Sequence, residues 1–143
     1  MTGIIISGHG NFATGLASSI KLIGGEFLDV AYIDFLDTDS TEQLKKKYID
    51  AIAGLSGCEN FLALADLVGG SPFKTLVELS TELDKEMQVV GGTNLPMALE
   101  VIISRDTAKN LNELTAIAVE VGRESISKFE LVKREQEAVD DGI

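Results

Sequence analysis

The sequence predicts an α/β fold, a doubly wound and mainly parallel sheet in one domain spanning residues 1–143. Short apolar runs alternate with segments of helical period, the pattern of βαβ units. Three glycine loops, Ser7-Gly8-His9-Gly10, Val68-Gly69-Gly70-Ser71-Pro72 and Gly91-Gly92-Thr93-Asn94, each close an apolar run. A chain of 143 residues, 45% of them hydrophobic, can fill one core and is short for two.

Residues 3–7 form an apolar run ended by glycine, and Phe12, Leu16, Ile20 and Ile23 then recur at helical spacing up to Gly24-Gly25. Residues 28–35, rich in β-branched and aromatic side chains, read as the second strand. Ser40 and Gln43 have capping-box spacing ahead of the stripe Leu44, Tyr48, Ile52 and Leu55. The continuous apolar run 61–65 has the pattern of a central strand covered on both faces. Ser71 is a candidate N-cap with Pro72 at the first helical position, and Phe73, Leu76, Val77 and Leu83 supply that helix's apolar face. Residues 87–90 give the fourth strand, and 94–104 a short helix that tolerates Pro96 in its first turn. Asn110 and Glu113 cap a longer helix running to about Ile126, after which 129–132 read as a fifth strand and 135–143 as a frayed acidic tail. With strands in the order 2-1-3-4, strands one and three are neighbours whose crossovers leave on opposite faces.

No apolar stretch approaches the roughly 18 residues of a membrane span, and nothing resembles a signal peptide, so a cytoplasmic protein is expected. The single Cys58 suits a reducing compartment and reads as a buried structural residue. A formal charge of −11 with a pI near 4.4 disfavours nucleic acid and anionic lipid as partners. The run Lys45-Lys46-Lys47 reads as the solvated face of a helix.

The first glycine loop holds the only histidine of the chain, His9. In an open parallel sheet the strand C-termini converge where ligands bind, which brings His9 beside Asp66 and Ser71. A neutral imidazole is a competent nucleophile near pH 7 and can accept a phosphoryl group on one nitrogen while the other holds the proton. A carboxylate accepting from Nδ1 fixes that tautomer, and Asp66 is the candidate orienter. Gly69, Gly70 and Ser71 lead into a helix N-terminus whose free N–H groups and hydroxyl suit phosphate. Thr93 and Asn94 could line the crevice or start the fourth helix. Asp34, Asp37 and Asp39 lack the downstream glutamate of an EF-hand loop and read as turn and capping residues, so neither metal nor cofactor is expected.

The segments Gly3-Ile4-Ile5-Ile6-Ser7-Gly8-His9-Gly10, Leu64-Ala65-Asp66-Leu67-Val68-Gly69-Gly70-Ser71-Pro72-Phe73 and Gly91-Gly92-Thr93-Asn94-Leu95-Pro96-Met97, with Gly122-Arg123-Glu124, cover nearly the whole chain in order. Together they resemble the IIA component of the mannose family of the bacterial phosphoenolpyruvate-dependent sugar phosphotransferase system. The resemblance implies that His9 takes phosphate on Nε2 from the phosphocarrier HPr and passes it to a histidine of a IIB subunit, ahead of the IIC and IID membrane subunits. It implies Asp66 as the imidazole's partner and Ser71 with nearby amides as phosphate ligands. It further implies four parallel strands and a fifth, antiparallel C-terminal strand, at 129–132, exchanged between the subunits of a homodimer. No IIB sequence follows, so a freestanding subunit is expected. The phosphotransfer subunit of a dihydroxyacetone kinase and a non-catalytic flavodoxin-like binding module are the alternatives. A phosphohistidine phosphatase is disfavoured because Gly8 stands where its Arg-His-Gly motif needs arginine. The sugar is not legible, because a IIA subunit handles phosphohistidine and never touches the sugar.

Overall fold

The computed structural model describes residues 1–133, so the tail expected at 135–143 lies outside the described residues. The order is β1 (Thr2–His9), α1 (Phe12–Gly24), β2 (Val30–Phe35), α2 (Thr41–Gly54), β3 (Asn60–Ala65), α3 (Ser71–Ser80), β4 (Met87–Val90), α4 (Leu95–Ser104) and α5 (Leu111–Glu124). The four strands are parallel and lie in the order β2-β1-β3-β4, as the sequence predicts.

Strand alternation sorts the apolar residues into two cores, because successive side chains leave a strand on opposite faces. Ile4, Ile6, Leu62 and Leu64 pack with α1, α4 and α5. Ile5, Phe61, Ala63 and Ala65 pack under α2 and α3 with Leu44, Tyr48 and Leu76. Ile4, Ile5 and Ile6 are wholly buried, each contributing about 1.5–3 kcal/mol by transfer from water. That two-sided demand is why residues 61–65 carry no polar side chain.

The same parity aims the end of β1. Gly8 points toward α1, where an added Cβ would lie 2.6 Å from Phe12 Cδ1. His9 and Ser7 therefore face the side covered by α2 and α3.

Several boundaries differ from the sequence reading. β2 starts at Val30 rather than 28, because Asp29 turns the backbone into the left-handed region at φ 58°. Its carbonyl receives the Ile4 N–H at 3.0 Å and Arg105 Nη1 at 3.1 Å, which accounts for the fixed turn. Ser71 is the first helical residue of α3 and not its N-cap; Gly70 occupies the cap, with Pro72 second. Glycine there brings no capping oxygen, so the first N–H groups of α3 have no side-chain acceptor from the cap. α5 ends at Glu124, and residues 126–133 join neither sheet edge, so no fifth strand forms within the described chain. Phe129, Leu131 and Val132 stand 83%, 88% and 74% exposed.

Cys58 is buried, and burial pushes its thiol above the ordinary range. The capping box of Ser40 and Gln43 is present in full. The lysine run does more than solvate α2. Lys45 bridges Glu78 on α3 and Glu82 in the turn after it, and Lys47 reaches Asp39 at 2.6 Å. Among the described residues no helix is long and apolar enough to cross a membrane.

Candidate functional site

Parallel strands β1 and β3 end side by side, with Ser7 opposite Ala65. The next residues diverge toward opposite helical faces and open the crevice of a topological switch point. His9 closes β1, and Asp66 begins the loop after β3. The Asp66 N–H donates to the Ser7 carbonyl at 3.1 Å, extending the ladder by one bond.

One carboxylate oxygen holds His9 twice. Asp66 Oδ2 accepts the His9 backbone N–H at 2.9 Å and lies 2.9 Å from Nδ1. A carboxylate oxygen at Nδ1 favours the tautomer with the proton on that nitrogen, which leaves the Nε2 lone pair free in the neutral ring. The Asp66 side chain is 15% exposed and that of His9 46%, so the carboxylate is sheltered while the imidazole is open to a partner. Asp66 Oδ1 is buried with no hydrogen-bond partner among the described residues.

The loop from Asp66 to α3 is shaped by glycine. Gly69 sits at φ 83°, a region that L side chains rarely adopt, and this reverses the chain into the helix. Gly70 has an ordinary φ of −75°; its missing side chain matters for space. A Cβ there would lie 2.8 Å from His9 Cε1 and 3.5 Å from Nε2. The Nε2 edge of the imidazole thus rests against the N-terminus of α3, where the helix dipole and N–H groups without helical partners favour an anion. Gly70→Ala should fold, since alanine accepts that backbone, yet it must displace the ring. The His9 ring nitrogen resonances should shift in this variant with the melting temperature nearly unchanged, as read by nitrogen NMR and thermal unfolding; unmoved resonances would show that Gly70 does not set the ring's position.

The other wall comes from β2. Phe35 meets His9 edge-on, with centroids 5.9 Å apart, and Gly10 donates to the Phe35 carbonyl at 2.7 Å. A cleft of about 330 Å³ opens between His9, Gly10, Phe35, Leu36, Asp37 and Asp39. Asp39 holds this wall by accepting the Leu36 N–H at 2.9 Å and pairing with Lys47; the Lys47 bond, then the Leu36 N–H, keeps its carboxyl below the usual range. Asp34 accepts the Thr14 N–H and hydroxyl at 3.0 and 2.6 Å, fastening the first turn of α1. Asp39 thus has the turn role expected of it and Asp34 a capping one, and among the described residues no group of three or more acidic, histidine or cysteine side chains is gathered as a metal site would need.

Thr93 and Asn94 do not line the crevice at His9. Thr93 is buried, with its N–H and hydroxyl both on the Ala65 carbonyl, so it ties the end of β4 to β3. Asn94 caps α4 through the Met97 N–H and donates to the Gly122 carbonyl at 3.0 Å, docking α4 on α5. Gly91 belongs to the site indirectly, since a Cβ there would meet Val68 Cγ2 at 2.6 Å and push the loop before Gly69. Sequence reading missed Phe35 and Gly8, whose roles depend on contacts that no local pattern encodes.

A sequence model described as "PTS system fructose IIA component" matches residues 3–119. The mannose-specific EIIAB component of Escherichia coli is 37% identical over 86% of this chain, which spans 38% of that protein's length. The fructose-specific EIIA component of Bacillus subtilis is 29% identical, with 94% of this chain and 96% of that protein aligned. Among solved structures, the phosphotransferase system component EIIA from Streptococcus agalactiae superposes with a TM-score of 0.83 at 32% identity, covering 90% of this chain and 97% of its own. The mannose/sorbose-specific IIA subunit from Enterococcus faecalis also gives 0.83, at 26% identity over 94% and 98% of the two chains. Close superposition on solved IIA structures, a family match from β1 into α5 and relatives of the same kind agree: the chain belongs to the IIA components of the sugar phosphotransferase system, in the EIIA-man family.

Proposed function

We propose that this IIA component is a phosphohistidine relay acting through His9. The observation that carries this reading is the division of the imidazole: Nδ1 is committed to Asp66 at 2.9 Å, while the Nε2 edge borders Gly70 at the start of α3. The phosphoryl donor is the phosphohistidine of HPr, and the acceptor is a histidine of a IIB subunit that serves the IIC and IID membrane subunits. In uptake, the His9 Nε2 lone pair attacks phosphorus, the P–N bond of the donor breaks, and the donor imidazole leaves with that electron pair. His9 keeps its Nδ1 proton and becomes cationic, a charge that Asp66 stabilises. Donation to IIB runs the same exchange outward, and no water takes part.

Phosphoryl transfer spreads charge over the equatorial oxygens, so positioned donors matter more than covalent help. The Ser71 hydroxyl and N–H are the proposed ligands, with Gly69 setting their direction and Gly70, whose own N–H donates to the Leu67 carbonyl at 3.2 Å, leaving room for the phosphoryl group. Each hydrogen bond to the dianion contributes about 1.5–3 kcal/mol. The 46% exposure of His9 suits a group that must meet two protein partners in turn, and a cytoplasmic location follows from those partners. Incubation with phosphoenolpyruvate, enzyme I and HPr should label the chain with acid-labile, base-stable phosphate. Failure to label under conditions that phosphorylate HPr would refute the relay.

We also propose a homodimer in which residues 129–132 of each subunit add to the other's sheet. β4 is an edge strand in the described chain, and beside it lies a groove of about 460 Å³ lined in part by Val68, Phe73, Val89, Met97, Val119 and Ile126. An open apolar edge, in a chain that also exposes Phe129, Leu131 and Val132, favours pairing with another chain. Deleting residues after Ser127 should weaken dimerisation at least tenfold by sedimentation while leaving helical circular dichroism intact. A full-length chain that sediments as a monomer at micromolar concentration would rule the exchange out.

A further inference from the structure

Beneath His9 lies a polar cluster that the relay as described does not use. Ser7 and Tyr48 are both wholly buried between the sheet and α2. The Ser7 hydroxyl donates to the Ile33 carbonyl at 2.8 Å, spending its only proton. Its 2.7 Å contact with Tyr48 Oη therefore has tyrosine as the donor. The same phenol hydrogen also faces the Pro72 carbonyl, at the longer distance of 3.4 Å. One hydroxyl on α2 thus touches the strand that carries His9, two residues upstream, and the first turn of α3, one residue beyond Ser71.

The Ser7 backbone completes the connection, because its carbonyl takes the Asp66 N–H, and Asp66 in turn holds His9. The first turn of α3 is then one hydrogen bond from Tyr48, Asp66 two and His9 three. An apolar side chain would fill the core equally well, so the hydroxyl is the part that packing leaves unexplained. Resting on the relay reading above, we propose that Tyr48 is a positioning residue, whose hydroxyl sets the distance between the His9 imidazole and the N-terminus of α3. Burial holds this phenol well above its ordinary pKa of 10, with the Asp66 charge adding to the effect, so it remains a donor throughout the physiological range.

Tyr48→Phe removes one oxygen and keeps the ring. A displacement of about 1 Å at a reacting centre costs up to about a hundredfold in rate. Phosphoryl uptake from HPr by full-length Tyr48→Phe should fall by about tenfold or more, and the imidazole nitrogen resonances of His9, the only histidine, should shift before any phosphate is added. Ser7→Ala should slow uptake as well. Because the two residues act through one bond, the double variant should be no slower than the slower single variant, whereas independent roles would multiply. A role in packing alone predicts a lowered melting temperature with wild-type uptake and unmoved His9 resonances in both single variants, and that result would overturn the proposal. Should the wild-type chain take no phosphate, the relay itself fails, while unmoved resonances in Tyr48→Phe and Ser7→Ala would count separately against positioning.

Discussion

His9→Ala is expected to abolish phosphoryl uptake altogether, because the chain has no second histidine to stand in. The loss should be selective. His9 is nearly half exposed and its backbone N–H survives the substitution, so Asp66 keeps one of its two donors. Stability should change by no more than about 1 kcal/mol, in the range of substitutions at open positions. Radiolabel from phosphoenolpyruvate, followed through enzyme I and HPr, reads the activity, and thermal unfolding reads the fold. Undiminished labelling of this variant would move the chemistry to another residue.

Asp66→Asn carries the next largest effect and a different signature. His9 offers two donors, its backbone N–H and Nδ1–H, to the single oxygen Oδ2. An amide can meet them only with its oxygen in that place, which forces the NH₂ group into the buried position where Oδ1 has no partner. An unsatisfied buried donor costs about 1–3 kcal/mol. The reverse orientation sets NH₂ against both donors and favours the tautomer with its proton on Nε2, which has no lone pair for phosphorus. Either way the negative charge proposed to steady the cationic phosphoimidazole is gone. Transfer should slow by about 10²- to 10⁴-fold, the scale seen when an orienting carboxylate is neutralised beside a catalytic imidazole, with a modest loss of stability. Asp66→Ala removes the conflict along with the charge, so it should transfer slowly and unfold no earlier than Asp66→Asn. Wild-type rates in both would leave His9 acting without an orienter.

The parts of this molecule that were legible in advance are those set by local or periodic chemistry. Residues 61–65 could be read as a central strand because both faces must be apolar, and a parallel sheet follows once short runs alternate with helices. His9 and Asp66 could be paired because parallel strands bring their C-termini to one edge. Ser71 was misplaced by one position because serine before proline is a strong N-cap signal. Gly70 took the cap instead, and its reason is the His9 ring 2.8 Å from where its Cβ would be, a contact that sequence spacing does not contain. Thr93 and Asn94 followed a glycine loop like the other two and so were weighed as crevice residues. Their hydrogen bonds to Ala65 and Gly122 depend on how β4 and α5 close against neighbours far away in sequence. Tyr48 was visible only as one apolar position in a helical stripe. Periodicity records that a ring is buried, whereas the use of its oxygen depends on Ser7 arriving from a distant strand.

The central claim is that Asp66 holds Nδ1 so that His9 reacts through Nε2. The most direct measurement is nitrogen NMR on the full-length chain, labelled at histidine and phosphorylated by phosphoenolpyruvate, enzyme I and HPr, with the coupling from phosphorus assigning the bonded nitrogen. With a single histidine there is one imidazole to read. Phosphorus should couple directly to Nε2, with Nδ1 protonated both before and after transfer. Phosphate on Nδ1, or on a residue other than His9, would contradict the account.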